Sequence, residues 1–312
     1  MLYSPVMRGL LVLILLLISI SPAGAGVEVG GDTFQKDLAT EGVARFGLEV
    51  DPDPVGKTIE RFEIAQNDVI LPQDPYPKWP TIFHALTKRE VVERELLVAV
   101  GDTWNAERIY EAERALLVNV FLSSAQILPT RGSAPDRVVA VVVTMDLWSL
   151  RPGVDFAVVG NTLQYFELQL AEHNLAGWKR RLGANFRIDL GNVLFGQEFR
   201  EPRLVGSRVR VDEKLDLYLA RANLGVLEGW DARFNVGKPL FSLETPSSWW
   251  AQLGLFRKVQ RWYSGNNLTG FQSSLGESVP YAYLVSEQSA EAGYTWSYWI
   301  TPREFKRDLS VA

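Results

Sequence analysis

The residues able to do chemistry are few and poorly arranged for it. Val55-Gly56-Lys57-Thr58 has the ending of a phosphate-binding loop, but the first glycine of G-x-x-x-x-G-K-[ST] falls at Asp51. The stretch also reads as the start of a strand rather than a loop before a helix. His84 and His173 are far apart in sequence and lie in different expected domains. They read as polar turn residues rather than a metal pair. The chain has no cysteine, which removes disulfides, thiolate nucleophiles and cysteine metal sites. It has no G-x-S-x-G nucleophile elbow. Its many Asp and Glu share alternating segments with Arg187, Arg210 and Arg233, which suits balanced charge on one face of a sheet better than an acid/base pair. The expectation is therefore no catalytic residue, no metal ligand and no cofactor.

The elements around these residues must then explain the chain. Its 312 residues suffice for roughly two domains, and 47% hydrophobic with 22% charged residues is an ordinary globular balance. A net charge of −5 gives no support to nucleic-acid binding, which usually shows a basic patch. At the N-terminus, Arg8 precedes the uncharged apolar run Gly9–Ile20, and Ala23-Gly24-Ala25 gives a small-residue cleavage pattern. This predicts a secretory signal peptide over 1–25. The run is short of the roughly 20 residues that a spanning helix needs. A membrane-spanning part would have to be a β-barrel.

Residues 26–55 show little periodicity and read as a linker. A strand is expected over Gly56–Ile64, then a proline-rich loop over Leu71–Pro80. Thr87-Lys88-Arg89-Glu90 has the form of a capping box. A helix should follow with Val92, Leu96 and Val100 on one face and Gly101 as its stop. Asn105 can cap a second helix with the stripe Ile109, Ala112, Leu116, Leu117, Val120 and Phe121. Ser124–Leu128 reads as a short strand and Thr130–Asp136 as a turn. The nearly unbroken β-branched run that opens Val138–Leu150 suits a strand buried on both faces. From Val154 onward apolar and polar residues alternate, as in Phe186 and Ile188 against Arg187, which predicts long strands with two unlike faces.

The order strand, helix, helix, strand, strand resembles the POTRA domain. Four motifs tighten the resemblance: His84-Ala85-Leu86-Thr87, Gly101-Asp102, Glu111-Ala112-Glu113-Arg114, and Asp146-Leu147-Trp148-Ser149-Leu150. Three later stretches resemble successive periplasmic turns of a barrel: Glu172–Gly177, Glu201–Ser207 and Lys238–Thr245. Together they make the chain similar to the BamA/TamA-type outer-membrane assembly superfamily. The resemblance implies an α+β POTRA-like domain (β-α-α-β-β) over 56–150, followed by an all-β, antiparallel, partial transmembrane β-barrel over 151–300 and a tail over 301–312. About eight strands fit into 151–300, roughly half the family's number, so the barrel is either a truncated copy, the favoured reading, or eight strands that close alone.

It further implies an outer-membrane protein with its N-terminal domain in the periplasm. Its role would be non-enzymatic assembly, insertion or translocation. The partners implied are the outer-membrane bilayer, unfolded outer-membrane protein precursors, and periplasmic or lipoprotein partners. Client strands would pair with the edge strand Ser124, Ala125, Gln126, Ile127 and Leu128. Asp146 and Trp148 would mark the domain junction. The alternative is a structural or pore-forming barrel, a surface antigen without insertase activity.

Overall fold

A computed structural model describes residues 31–72, 74, 75, 84–117, 121–300 and 305–311. The expected signal peptide lies outside them. The chain divides into two compact units, Met1–Glu41 and Gly42–Ala312. The described part of the first is most of helix α1 (Gly31–Ala44). The stretch 26–55, expected to be a linker of little periodicity, thus contains a helix. Phe34 and Leu38 are spaced for one helical face, but the glycines and threonines around them mask the period.

The second unit begins with the expected order: β1 (Thr58–Asn67), α2 (Arg89–Glu95), α3 (Ala106–Leu117), β2 (Leu122–Arg131) and β3 (Arg137–Asp146). The sheet order is β1-β3-β2, with β3 parallel to β1 and antiparallel to β2. A central strand covered on both faces can be apolar throughout, and Val138 to Val143 are all essentially without exposed surface. Val138, Ala140 and Val142 join the core formed with Ile59, Val91, Val92, Ile109, Ala112, Leu116 and Phe121. On the other face Val143 meets Gly42, where a Cβ would lie 2.5 Å from its Cγ2. Only a glycine lets that backbone approach so closely.

The helices depart from expectation at their ends. Asn105 Oδ1 accepts the N–H groups of Glu107 and Arg108 at 3.0 and 3.1 Å, as a cap should. Thr87, however, makes no capping box. Lys88 occupies the N-cap position of α2 with no side-chain cap, because the Thr87 hydroxyl is used elsewhere. α2 ends at Glu95, where Leu96 turns out of helical geometry, so Val100 is exposed rather than on a buried stripe.

The expected single strand over Val138–Leu150 is two. β3 stops at Asp146, and β4 (Leu150–Val159) opens a different sheet. That sheet continues through β5 (Thr162–Leu175), β6 (Arg180–Asp189), β7 (Asn192–Glu201), β8 (Arg210–Ala220), β9 (Asn223–Lys238) and β10 (Ser247–Arg261). Two small ribbons, β11 (Tyr263–Ser264) with β12 (Asn267–Leu268) and β13 (Gly270–Gln272) with β14 (Ser278–Pro280), interrupt the run. It resumes with β15 (Ala282–Ile300) and β16 (Phe305–Val311). Every neighbouring pair is antiparallel and sequential apart from that interruption, giving a nine-stranded meander from β4 to β16 among the described residues. β16 corrects the reading of 301–312 as a tail: Leu309 and Val311 register against Trp296 and Tyr294.

The registers sort the side chains by face. Val154, Leu168, Phe186, Phe195, Leu217 and Trp230 stand directly opposite one another across six strands. The neighbouring row on the other face runs Asp155, Glu167 and Arg187. The polar face is concave. Lys258 Nζ on β10 reaches Asp189 Oδ2 at the end of β6 at 3.7 Å. Four strand spacings would hold these strands about 19 Å apart in a flat sheet. The apolar face is therefore convex, and Phe156, Phe195, Leu253 and Leu255 are exposed on it.

Leu116 has no exposed surface and stands mid-stripe on α3. Leu116→Ala should destabilise this core by about 2–5 kcal/mol. Amide exchange over Val139–Val143, read by mass spectrometry, should then speed up on the order of thirtyfold or more. Unchanged protection would mean that the face assigned to α3 is wrong.

Candidate functional site at the domain junction

The turns at one end of the large sheet are each gripped by a different part of the α+β domain. The first grip centres on Asp146, which ends β3 with no exposed surface on its side chain. A buried carboxylate needs donors. Asp146 Oδ2 accepts the Thr87 N–H at 2.7 Å, the Thr87 hydroxyl at 2.8 Å and a contact from His84 Nε2 at 3.1 Å. Thr87 Oγ1 in turn accepts Asn174 Nδ2 at 2.9 Å, and the Lys88 N–H bonds the Gly177 carbonyl at 2.9 Å. Asn174 Oδ1 accepts the Lys179 N–H at 2.8 Å, closing the β5–β6 turn over itself. This turn places Ala176, Gly177 and Lys179 at positive φ. Gly177 is required twice: its φ is +77°, and a Cβ would overlap the Leu86 carbonyl oxygen.

His84 Nδ1 also lies 3.2 Å from Ser149 Oγ. Ser, His and Asp in a chain resemble an acyl-transfer relay. Ser149 has no exposed surface, however, and Asp146 Oδ2 is already bound by Thr87, so the cluster works as a clamp. Burial opposes the imidazolium, but the Asp146 carboxylate outweighs it and raises the His84 pKa above 6.5. The stability this adds is complete below pH 6.5 and is lost as pH rises through the folded value. His173, expected to be remote, comes to the same place through its backbone: its N–H bonds the Ser149 carbonyl at 2.9 Å.

The second grip is an ion cluster. Glu95 ends α2 with its side chain only 7% exposed. It accepts Arg203 Nε of the β7–β8 turn at 2.6 Å and Lys179 Nζ at 3.2 Å, with Arg208 at 3.6 Å. Arg203 also bonds the Arg94 carbonyl at 2.5 Å, and its own turn is braced by Glu201, which takes Arg180 at 2.5 Å. Burial alone would raise the Glu95 pKa, but Arg203 and Lys179 hold it below the ordinary value. Lys179 goes the other way: burial, with the cations Arg203 and Arg94 nearby, outweighs Glu95 and lowers it to about 8.

The third grip is one bond. Glu111 Oε1 on α3 accepts the Leu243 N–H of the β9–β10 turn at 2.7 Å.

Of the two residues expected at the junction, Asp146 sits at its centre. Half-buried Trp148 bonds locally, donating its indole N–H to the Leu150 carbonyl. Glu95, Lys179, Arg203, Asn174 and His84 were not singled out as site residues. The one signal for Glu95 was a carboxylate spaced four residues from Val91, on the helix face that is buried. The expected edge Ser124–Leu128 is an edge of its sheet, but Ser124, Ala125 and Ile127 are buried, and the Ile127 N–H is taken by Glu113 Oε1 at 2.7 Å.

No protein-family model matches the chain, and no curated protein sequence matches it. Among solved structures it is similar to BamA from Haemophilus ducreyi lacking POTRA domains 1–3, with a TM-score of 0.46 and 13% identity over 81% of this chain and 47% of that one. It is similar to CdiB from Acinetobacter baumannii, with a TM-score of 0.42 and 14% identity over 79% and 50% of the two chains. For CdiB from Escherichia coli the TM-score is 0.40, with 13% identity over 87% and 51%. The chain spans about half the length of these structures.

Glu95→Gln should leave Arg203 and Lys179 buried without their counter-charge, at a cost of about 3–5 kcal/mol. Denaturant unfolding of the full chain reads this. Gly177→Ala should loosen only the first grip, seen as faster exchange of the Lys88 amide. An unchanged Lys88 amide would show that the backbone approach at Leu86 does not hold the turn.

Proposed function

We propose that the chain belongs to an outer-membrane protein assembly or translocation factor. Residues 56–150 would form its periplasmic domain, and 151–300 would form the wall of a membrane barrel. The observation that carries this reading is the three-point grip. A domain bonded to three successive turns at one end of the sheet cannot move independently of them, so whatever the domain binds is held at the mouth of the concave face. The convex face supports a lipid setting. Rows of exposed Phe, Leu and Trp are an aggregation hazard in water but a stable wall in hydrocarbon. Paired charges such as Arg233 with Asp231 at 3.0 Å suit a wet lumen. On this reading the chemistry is non-covalent: unfolded barrel precursors arrive as extended segments and pair with exposed strand edges.

One observation favours a second reading, a structural or pore-forming barrel. The β2 edge expected to receive clients is already hydrogen-bonded by its own chain.

Two measurements in lipid vesicles test these readings. An environment-sensitive dye on single cysteines at positions 184 to 189 should report lipid at 184, 186 and 188 and water at 185, 187 and 189. Exclusion from lipid at all six would end the membrane reading. Vesicles carrying the chain should also fold an outer-membrane barrel precursor faster than empty vesicles. Equal rates would leave the structural reading.

A further inference from the structure

The outer edge of β2 is closed in two unlike ways. Over Pro129–Arg131 the closure is backbone pairing. The Asp51 N–H bonds the Pro129 carbonyl at 3.0 Å, the Arg131 N–H bonds the Glu49 carbonyl at 2.9 Å, and Val50 bridges Thr130. Asp51 is itself pinned by Lys57 at 2.6 Å. This half of the edge is a finished piece of sheet.

Over Ala125–Ile127 the outward-facing Ile127 N–H is closed, among the described residues, by a side chain. Glu113 reaches from α3 and accepts the Ile127 N–H. Residues of β2 alternate in the direction of their backbone groups, so the Ile127 N–H points the same way as the Pro129 carbonyl and the Arg131 N–H, out of the sheet. Glu113 is half-buried, and no salt bridge reaches it among the described residues. Burial pushes its carboxyl above the ordinary carboxylate range, with the Ile127 N–H pulling the other way. The charge is held there by one hydrogen bond against a desolvation cost. The neighbouring Glu111 and the junction's Glu95 are used differently, each holding a turn of the large sheet.

We propose that Glu113 is a displaceable cap on a strand-docking site at Ala125–Ile127, and that the ligand is an extended polypeptide segment. The segment's carbonyl takes the Ile127 N–H, and the carboxylate swings to water. No donor is left bare in the exchange, because a carbonyl replaces a carboxylate on the same N–H. The half-edge over Pro129–Arg131 limits the docked strand to a short register beside Ala125–Ile127. This deepens the assembly-factor reading and rests on it, since it supplies the regulation of that client edge.

The test uses the full chain in detergent micelles, with a short fluorescent peptide of alternating Val and Thr as the probe and a photo-crosslinker at position 126. Wild type should bind weakly. Glu113→Ala should bind on the order of tenfold tighter, the loss of about one competing charged hydrogen bond. Glu113→Gln keeps the shape and an acceptor without the charge, and should fall between. It also serves if the alanine variant melts early. Glu107→Gln, on the exposed first turn of α3, should bind as wild type does. If wild type binds and crosslinks as tightly as Glu113→Ala, the cap is overturned while docking at the edge stands. If no variant crosslinks from position 126, both the cap and the edge-docking reading fall.

Discussion

A carboxylate without exposed surface must find donors or give up its charge, and Asp146 finds them only when separate segments are in place. It ends the central strand of one sheet. Its donors come from His84 and Thr87; Thr87 in turn accepts Asn174 of the β5–β6 turn, and the adjacent Lys88 N–H donates to the Gly177 carbonyl of the same turn. The small domain's last strand, the approach to its first helix and the β5–β6 turn therefore settle together. Glu95 repeats this logic at the second turn with full charges, which makes that contact the more sensitive to losing a partner.

This cross-linking explains which parts of the fold were legible from sequence. The order of the small domain was, because its signals are local: a β-branched run, a stripe at Ile109, Ala112 and Leu116, and a cap at Asn105. The faces of the large sheet were as well, since period two at Phe186, Arg187 and Ile188 does not depend on what each face meets. The misreadings lie where long-range bonds override local pattern. Thr87 looks like a helix cap and is instead a junction residue, because Asp146 lies 59 positions away and competes for its hydroxyl. Val138–Leu150 looks like one strand and breaks after Asp146 for the same reason. Glu95 and Lys179 were invisible as a site because their meaning lies in a partner, Arg203, more than a hundred residues from Glu95.

The large sheet's curvature follows from its two faces. Bulky apolar side chains on the convex side spread apart, while ion pairs on the concave side draw strands together, as Lys258 and Asp189 do across four strand spacings. Arg261 with Glu228 adds a contact at the same end, where Gly191 lies beside Tyr263. The far end of the concave face is thus tied by its own charges, and the near end is tied by the domain.

Helix α3 stands between the two surfaces that matter for the proposed role. Ala112 and Leu116 fix its position in the core with no exposed surface. Glu111 holds a turn of the large sheet and Glu113, two residues on, holds the edge of β2. Residues two apart point to different sides of a helix, so one rigid element carries one carboxylate toward each surface. An isolated side-chain swing at Glu113 leaves the Glu111 bond intact and opens the edge without loosening the turn. A shift of the whole helix would break both bonds and uncover Ala112 and Leu116, at far greater cost. The packing therefore favours opening of the edge by the side chain alone, with the large sheet's anchor held fixed while a strand arrives.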